Sequence, residues 1–149
     1  MINQIFAYLG AAFVLFFGIA HLIPTKRVVV NFGDISKENR HVIMMAWIAE
    51  GMALIFIAVL VATATFVDAG SAVTRAVYWL AFIGLNVLSV LSLFTKFRVN
   101  FLPFKFYPAL FTGASILILL AVLLKDPTPP GFKDHLIALS YAVFPSGWK

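Results

Sequence analysis

Four stretches of this chain, residues 5–25, 42–67, 76–95 and 106–124, contain no Lys, Arg or Asp. Each is about 20 residues long, the length of helix that crosses a hydrocarbon layer of about 30 Å. Within such a layer the backbone N–H and C=O groups must bond inside their own segment, which selects helix over isolated strand. Hydrophobic residues make up 62% of the chain and charged residues 11%, against about a quarter charged in soluble domains. The expectation is an all-α polytopic membrane protein: a four-transmembrane-helix bundle over residues 1–124, followed by a separate tail over 125–149. The lipid bilayer is its first partner.

Topology follows from the loops. Lys26, Arg27, Lys37 and Arg40 lie in the first connection and Lys96, Arg98 and Lys105 in the third, seven of the eleven basic residues. By the positive-inside rule, residues 26–41 and 96–105 face the cytoplasm and both termini lie outside. The first stretch has no basic residue before it and no small-residue cleavage site, so it reads as a retained span. A nucleic-acid partner is not expected, because the basic residues are divided among short loops and form neither a patch nor a recognition motif.

Within the first connection, Gly33-Asp34 is a turn signal, Ser36 is an N-cap candidate and Glu38 falls in the first helical turn, so the second helix should begin before it enters the bilayer. The apolar residues Val28, Val29, Val30, Phe32 and Ile35 fit either a loop tucked under the helices or a re-entrant turn. The seven prolines are expected at or near segment ends or in the tail. Beyond Leu124, Lys-Asp-Pro-Thr-Pro-Pro-Gly is a stiff break. Phe132, Leu136, Leu139 and Val143 then recur at helical spacing, which suggests a short interfacial helix anchored by Tyr141 and Trp148.

The chain has no cysteine, which excludes disulfides, thiolate metal sites and thiol redox relays. Redox chemistry would need a bound cofactor, and no motif names one. A metal site is not expected: His21 and Glu50 supply two ligands where a catalytic zinc usually takes three, and there is no H-E-x-x-H helix.

The polar residues inside the spans are the candidate site. Glu50 lies in the second apolar run, and an ionisable residue in such a run is a functional-site hypothesis by default. Counting ten residues from Arg40, Lys96 and Lys105 places Glu50, Asn86 and Ser115 each roughly 15 Å deep, with His21 roughly 7 to 8 Å from Lys26. Ser89, Ser92 and Thr112 fall at comparable or intermediate depths. On the first helix Ala7, Ala11, Val14, Gly18 and His21 share one stripe, and on the second Ala46, Glu50, Ala53 and Ile57 share another. Stripes of small residues allow membrane helices to approach, so both acid and imidazole are expected on packing faces, with Phe13, Phe16, Phe17, Trp47, Phe56 and Phe82 on the remaining surfaces and gaps.

Each of these residues also has a purely structural reading. A charged acid at a helix centre costs about 2.5 to 3.5 kcal/mol, an amount that neutralisation or a hydrogen-bonded partner lowers. Glu50 bonded to Asn86 would serve as interhelical glue. Ser89, Thr112 and Ser115 would be packing hydrogen bonds, and His41 and His135 ordinary interface residues.

The order of features, Phe17-Gly18-Ile19-Ala20-His21, a basic loop, Ala49-Glu50-Gly51 and two further spans, resembles the small four-helix DoxX-like membrane proteins over residues 5–124. That resemblance implies a four-helix bundle in bacterial membranes, often alongside oxidoreductases or quinone-linked systems. The first functional expectation is a binding or accessory subunit. It would hold a hydrophobic, lipid- or quinone-like small molecule near His21, Glu50 and Asn86, or dock a membrane-protein partner or a second copy of itself. The second is a proton-coupled exporter of hydrophobic cations working through Glu50. The third is a membrane enzyme with Glu50 and His21 as acid and base.

Overall fold

The computed structural model describes residues 1–30, 33–96 and 102–124, so the interfacial helix expected over 132–144 lies outside the described residues. Among the described residues five helices follow one another: α1 (Ile2–Leu22), α2 (Thr25–Val30), α3 (Lys37–Asp68), α4 (Ala72–Lys96) and α5 (Leu102–Leu123). All but α2 are long and apolar enough to cross a membrane. The chain is therefore all-α and built as an integral membrane protein. α1 packs against α3 and α5, and α4 against α5 and, less extensively, α3. The four long helices thus form a ring in the order α1, α3, α4, α5.

Local signals set the helix ends. Ser36 caps α3, its Oγ accepting the Asn39 N–H at 3.2 Å, a contact worth about 1 kcal/mol. Gly33 takes φ 77°, a left-handed conformation in which a Cβ is strained. The α3–α4 hairpin is short and tightly bonded: the Asp68 carboxylate accepts from the Gly70 N–H at 2.9 Å, Ser71 Oγ accepts the Thr74 N–H at 3.0 Å, and Thr74 Oγ1 donates to the Asp68 carbonyl at 2.7 Å. One turn away, buried Thr65 and Tyr78 share a hydrogen bond of 2.7 Å between α3 and α4.

Two expectations about local structure change. Residues 25–30 form the short helix α2, which buries Val28 and Val29 and packs against α3, rather than a loop or a re-entrant turn. Pro108 lies inside α5 rather than at its boundary, because that helix starts at Leu102, earlier than the apolar run suggests. Its missing N–H removes one bond near the start of the helix, where little of the ladder is interrupted.

Packing selects one face of each helix. α1 buries Ala7, Gly10, Ala11, Val14, Gly18 and His21, the expected stripe with Gly10 added. α3 does not follow its expected stripe. Its buried face is Trp47, Gly51, Leu54, Ala58, Val61 and Thr65, about one residue round the helix from Ala46, Glu50, Ala53 and Ile57. The reason is steric: a Cβ on Gly18 would lie 3.1 Å from both the Gly51 carbonyl oxygen and the Ile55 nitrogen. The α1 and α3 backbones are nearly in contact there, and only glycine permits it. Apolar side chains such as Phe16, Phe66 and Leu80 point outward, as lipid-facing residues must.

Candidate functional site

The contact between Gly18 and Gly51 fixes the register of α1 against α3 and brings the two strongest site candidates together. His21, one residue from the end of α1, presents Nε2 at 3.5 Å from an Oε2 of Glu50. The imidazole is fully enclosed, whereas the Glu50 side chain keeps about a third of its surface (34%) open. Among the described residues neither ring nitrogen of His21 has a hydrogen-bond partner. A buried polar atom without a partner costs about 1 to 3 kcal/mol, so this is a costly arrangement unless something else engages the ring.

This register also bears on the relative level of the two residues. Glu50 can meet His21 only if both stand at one level, and α3 runs on past the end of α1. α3 has 32 residues, about 48 Å of helix at 1.5 Å per residue, so its first turns overhang the bundle. Counting inward from Arg40 for one residue and from Lys26 for the other therefore does not give their relative level. Measured from Asp68, Glu50 is 18 residues along α3, about 27 Å away, close to the bundle end that carries the α1–α3 connection.

Aromatic rings enclose the imidazole. Trp47 stacks on it with centroids 4.0 Å apart and planes 12° from parallel. Phe17 and Tyr107 are tilted against it at 6.4 and 5.7 Å. Phe17 in turn meets Tyr107 and Phe111 edge to face at 5.1 and 5.3 Å, the arrangement that ring quadrupoles favour. Trp47 also donates its indole N–H to the His21 carbonyl at 2.7 Å, while Thr25 Oγ1 donates to the Leu22 carbonyl at 2.7 Å. The last carbonyls of α1, which have no partners within the helix, are thereby satisfied by side chains.

Compared with family models, with curated proteins and with solved structures, this chain matches none. The site is therefore read from its own geometry.

The remaining candidates do not join the pair. Asn86 turns back on its own helix, its Nδ2 donating to the Phe82 carbonyl at 2.8 Å, and so does not bridge to Glu50. Ser89 reaches across to α5, donating to the Pro108 carbonyl at 3.0 Å and sharing a 2.9 Å bond with Thr112 Oγ1. Ser115 donates to the Thr112 carbonyl at 2.8 Å. These residues form a polar seam between α4 and α5. Ser92 likewise bonds its own helix at Leu88, and His41 Nδ1 donates to the Lys37 carbonyl at 2.8 Å.

Sequence reasoning missed Trp47 and Tyr107 as members of the site. Trp47 stands three residues before Glu50, a spacing that places two side chains on adjoining parts of a helix surface, and that was the available signal. Tyr107 had none, because its position depends on how α5 packs across the bundle. Among the described residues no group of three His, Asp or Glu could hold a metal ion. What the arrangement offers is an imidazole and a carboxylate side by side, able to hydrogen-bond a polar head or exchange a proton inside an aromatic wall.

Proposed function

We propose that this protein is a small integral-membrane binding subunit that holds the polar head of a hydrophobic, lipid- or quinone-like molecule at His21 and Glu50. One observation carries the reading: among the described residues, both ring nitrogens of the fully enclosed His21 lack a hydrogen-bond partner. Buried polar groups are almost always satisfied, and a carbonyl or hydroxyl on a ligand head would complete this imidazole. The partly exposed Glu50 supplies a second hydrogen-bonding group beside the ring. Phe17, Trp47 and Tyr107 supply the apolar walls that such sites usually have. Placement in a bacterial cytoplasmic membrane, with residues 26–41 and 96–105 inside, belongs to the same proposal and rests on the loop charges and the family resemblance.

A second reading, proton-coupled export of hydrophobic cations, is favoured by the partial exposure of Glu50, the only carboxylate within the four apolar stretches. One set of purified variants separates the two. The wild-type protein, His21→Gln and Glu50→Gln are extracted in native lipid, checked for helical content and thermal stability, and analysed for co-purifying quinone or lipid. Loss of a stoichiometric ligand from both folded variants supports the binding subunit. Protection of cells against cationic dyes that disappears in Glu50→Gln supports the exporter. Variants of native stability with unchanged ligand content and dye sensitivity would leave His21 and Glu50 as packing residues.

A further inference from the structure

On the opposite side of Trp47 from Glu50, a second feature stands independently of the His21 site. A groove of about 510 Å3 runs along the outer α1–α3 seam, lined by Leu22, Ile23, Thr25, Lys26, Met44 and Ile48. That volume is within the range of ligand sites, about 300 to 1,000 Å3. Its position is unusual for its chemistry. Leu22, Ile23, Met44 and Ile48 make an apolar trough, with Ile23 and Ile48 facing outward, while Lys26 stands exposed at the end where α1 gives way to α2. Among the described residues no carboxylate lies within ion-pair distance of Lys26. The Thr25 hydroxyl is committed to the Leu22 carbonyl, so the lysine is the charged group that the trough presents.

An apolar trough beside a membrane helix, with a cation at one end that meets no carboxylate among the described residues, matches one kind of occupant in both polarity and sign. We propose that this groove seats one anionic phospholipid, with an acyl chain along Leu22, Ile23, Met44 and Ile48 and the phosphate on the Lys26 ammonium. A lysine meets a phosphate as a point charge and needs no shaped fork, and basic pockets beside membrane helices are recurrent sites for anionic headgroups. The lipid would cover the seam where α1 ends, bracing the turn that leads from His21 into α2.

Native mass spectrometry of the full chain, released from nanodiscs of phosphatidylglycerol or phosphatidylcholine, tests this. The expected result is one retained phosphatidylglycerol per chain, held in preference to phosphatidylcholine. Lys26→Gln should reduce that preference about fivefold, the contribution of one interfacial lysine at an anionic surface, and Lys26→Arg should restore it. Ile48→Trp, which fills the trough, should displace both lipids. Lys37→Gln, which removes a basic residue outside the groove, should leave the preference intact. An equal loss in Lys37→Gln would mean diffuse surface charge and overturn the proposal. So would an unchanged preference in Lys26→Gln, or a dimer that Ile48→Trp dissociates while lipid adducts persist, which would give the groove to a second copy.

Discussion

Trp47 holds His21 twice, stacking its indole on the imidazole at 4.0 Å and donating its N–H to the His21 backbone carbonyl at 2.7 Å. One side chain on α3 therefore both orients the ring and satisfies the end of α1. The ring is presented to Glu50 three residues further along the same helix, which places an acid and a base side by side without either reaching across the bundle.

Trp47→Phe keeps most of the stack and removes the donor. The His21 carbonyl is then left without its side-chain partner in an enclosed position, and the expected loss of stability is about 1 to 3 kcal/mol. Reversible unfolding in detergent or by steric trapping measures this. If the two contacts act together, Trp47→Phe also weakens whatever ligand the wild type retains; unchanged stability would show that the indole N–H contributes nothing.

Gly18→Ala should be strongly disfavoured, because its new methyl would lie 3.1 Å from backbone atoms of α3 that cannot move independently. Overpacking of this kind costs about 1 to 3 kcal/mol. Gly84→Ala is the control. Nothing lies within 4 Å of its added Cβ, and a helix-interior alanine is favoured over glycine by about 1 kcal/mol. Thermal shifts of opposite sign are expected, and a Gly18→Ala protein as stable as wild type would contradict the close approach of α1 and α3.

Thr65 and Tyr78 hold α3 to α4 beside the hairpin with a 2.7 Å bond. In membrane proteins such bonds average about 0.6 kcal/mol and seldom exceed about 2. Thr65→Val and Tyr78→Phe should each destabilise, and the double variant should cost less than their sum. Strict additivity in that cycle would deny the coupling.

Orientation is tested directly, since the chain has no cysteine of its own. Single cysteines at exposed Gly70 and exposed Lys37 mark the two ends of α3. With the α1–α3 connection in the cytoplasm, an impermeant thiol reagent should label Gly70→Cys in intact cells and spare Lys37→Cys. The reverse pattern would invert the topology.

How much of this was legible in advance differs residue by residue. The four spans could be read directly, because about 20 apolar residues are needed to cross a bilayer and nothing shorter serves. The Ser36 cap and the Gly33 turn could be read too, since both depend on the chemistry of adjacent residues. The buried stripe of α1 was also visible, because its small residues differ from the phenylalanines around them. His21 and Glu50 could be paired as acid and base because both fall on packing faces, although the residue count set them at different depths.

What the sequence alone determined is therefore the number, type and approximate limits of the helices, the absence of thiol chemistry and the identity of the ionisable residues within the apolar runs. The tertiary structure alone decided that α3 turns Trp47 rather than Ala46 inward, that Glu50 meets His21 at one level, that Asn86 bonds its own helix and that Tyr107 joins the site from α5. The physical reason is that a membrane helix is apolar on the face that meets lipid as well as on the face that meets its neighbours. Hydrophobic periodicity, which identifies the buried face of a soluble helix, carries little information about rotation here. Rotation and register are set by shape, above all by Gly18 and Gly51 letting two backbones touch, and shape complementarity exists only once the helices are together.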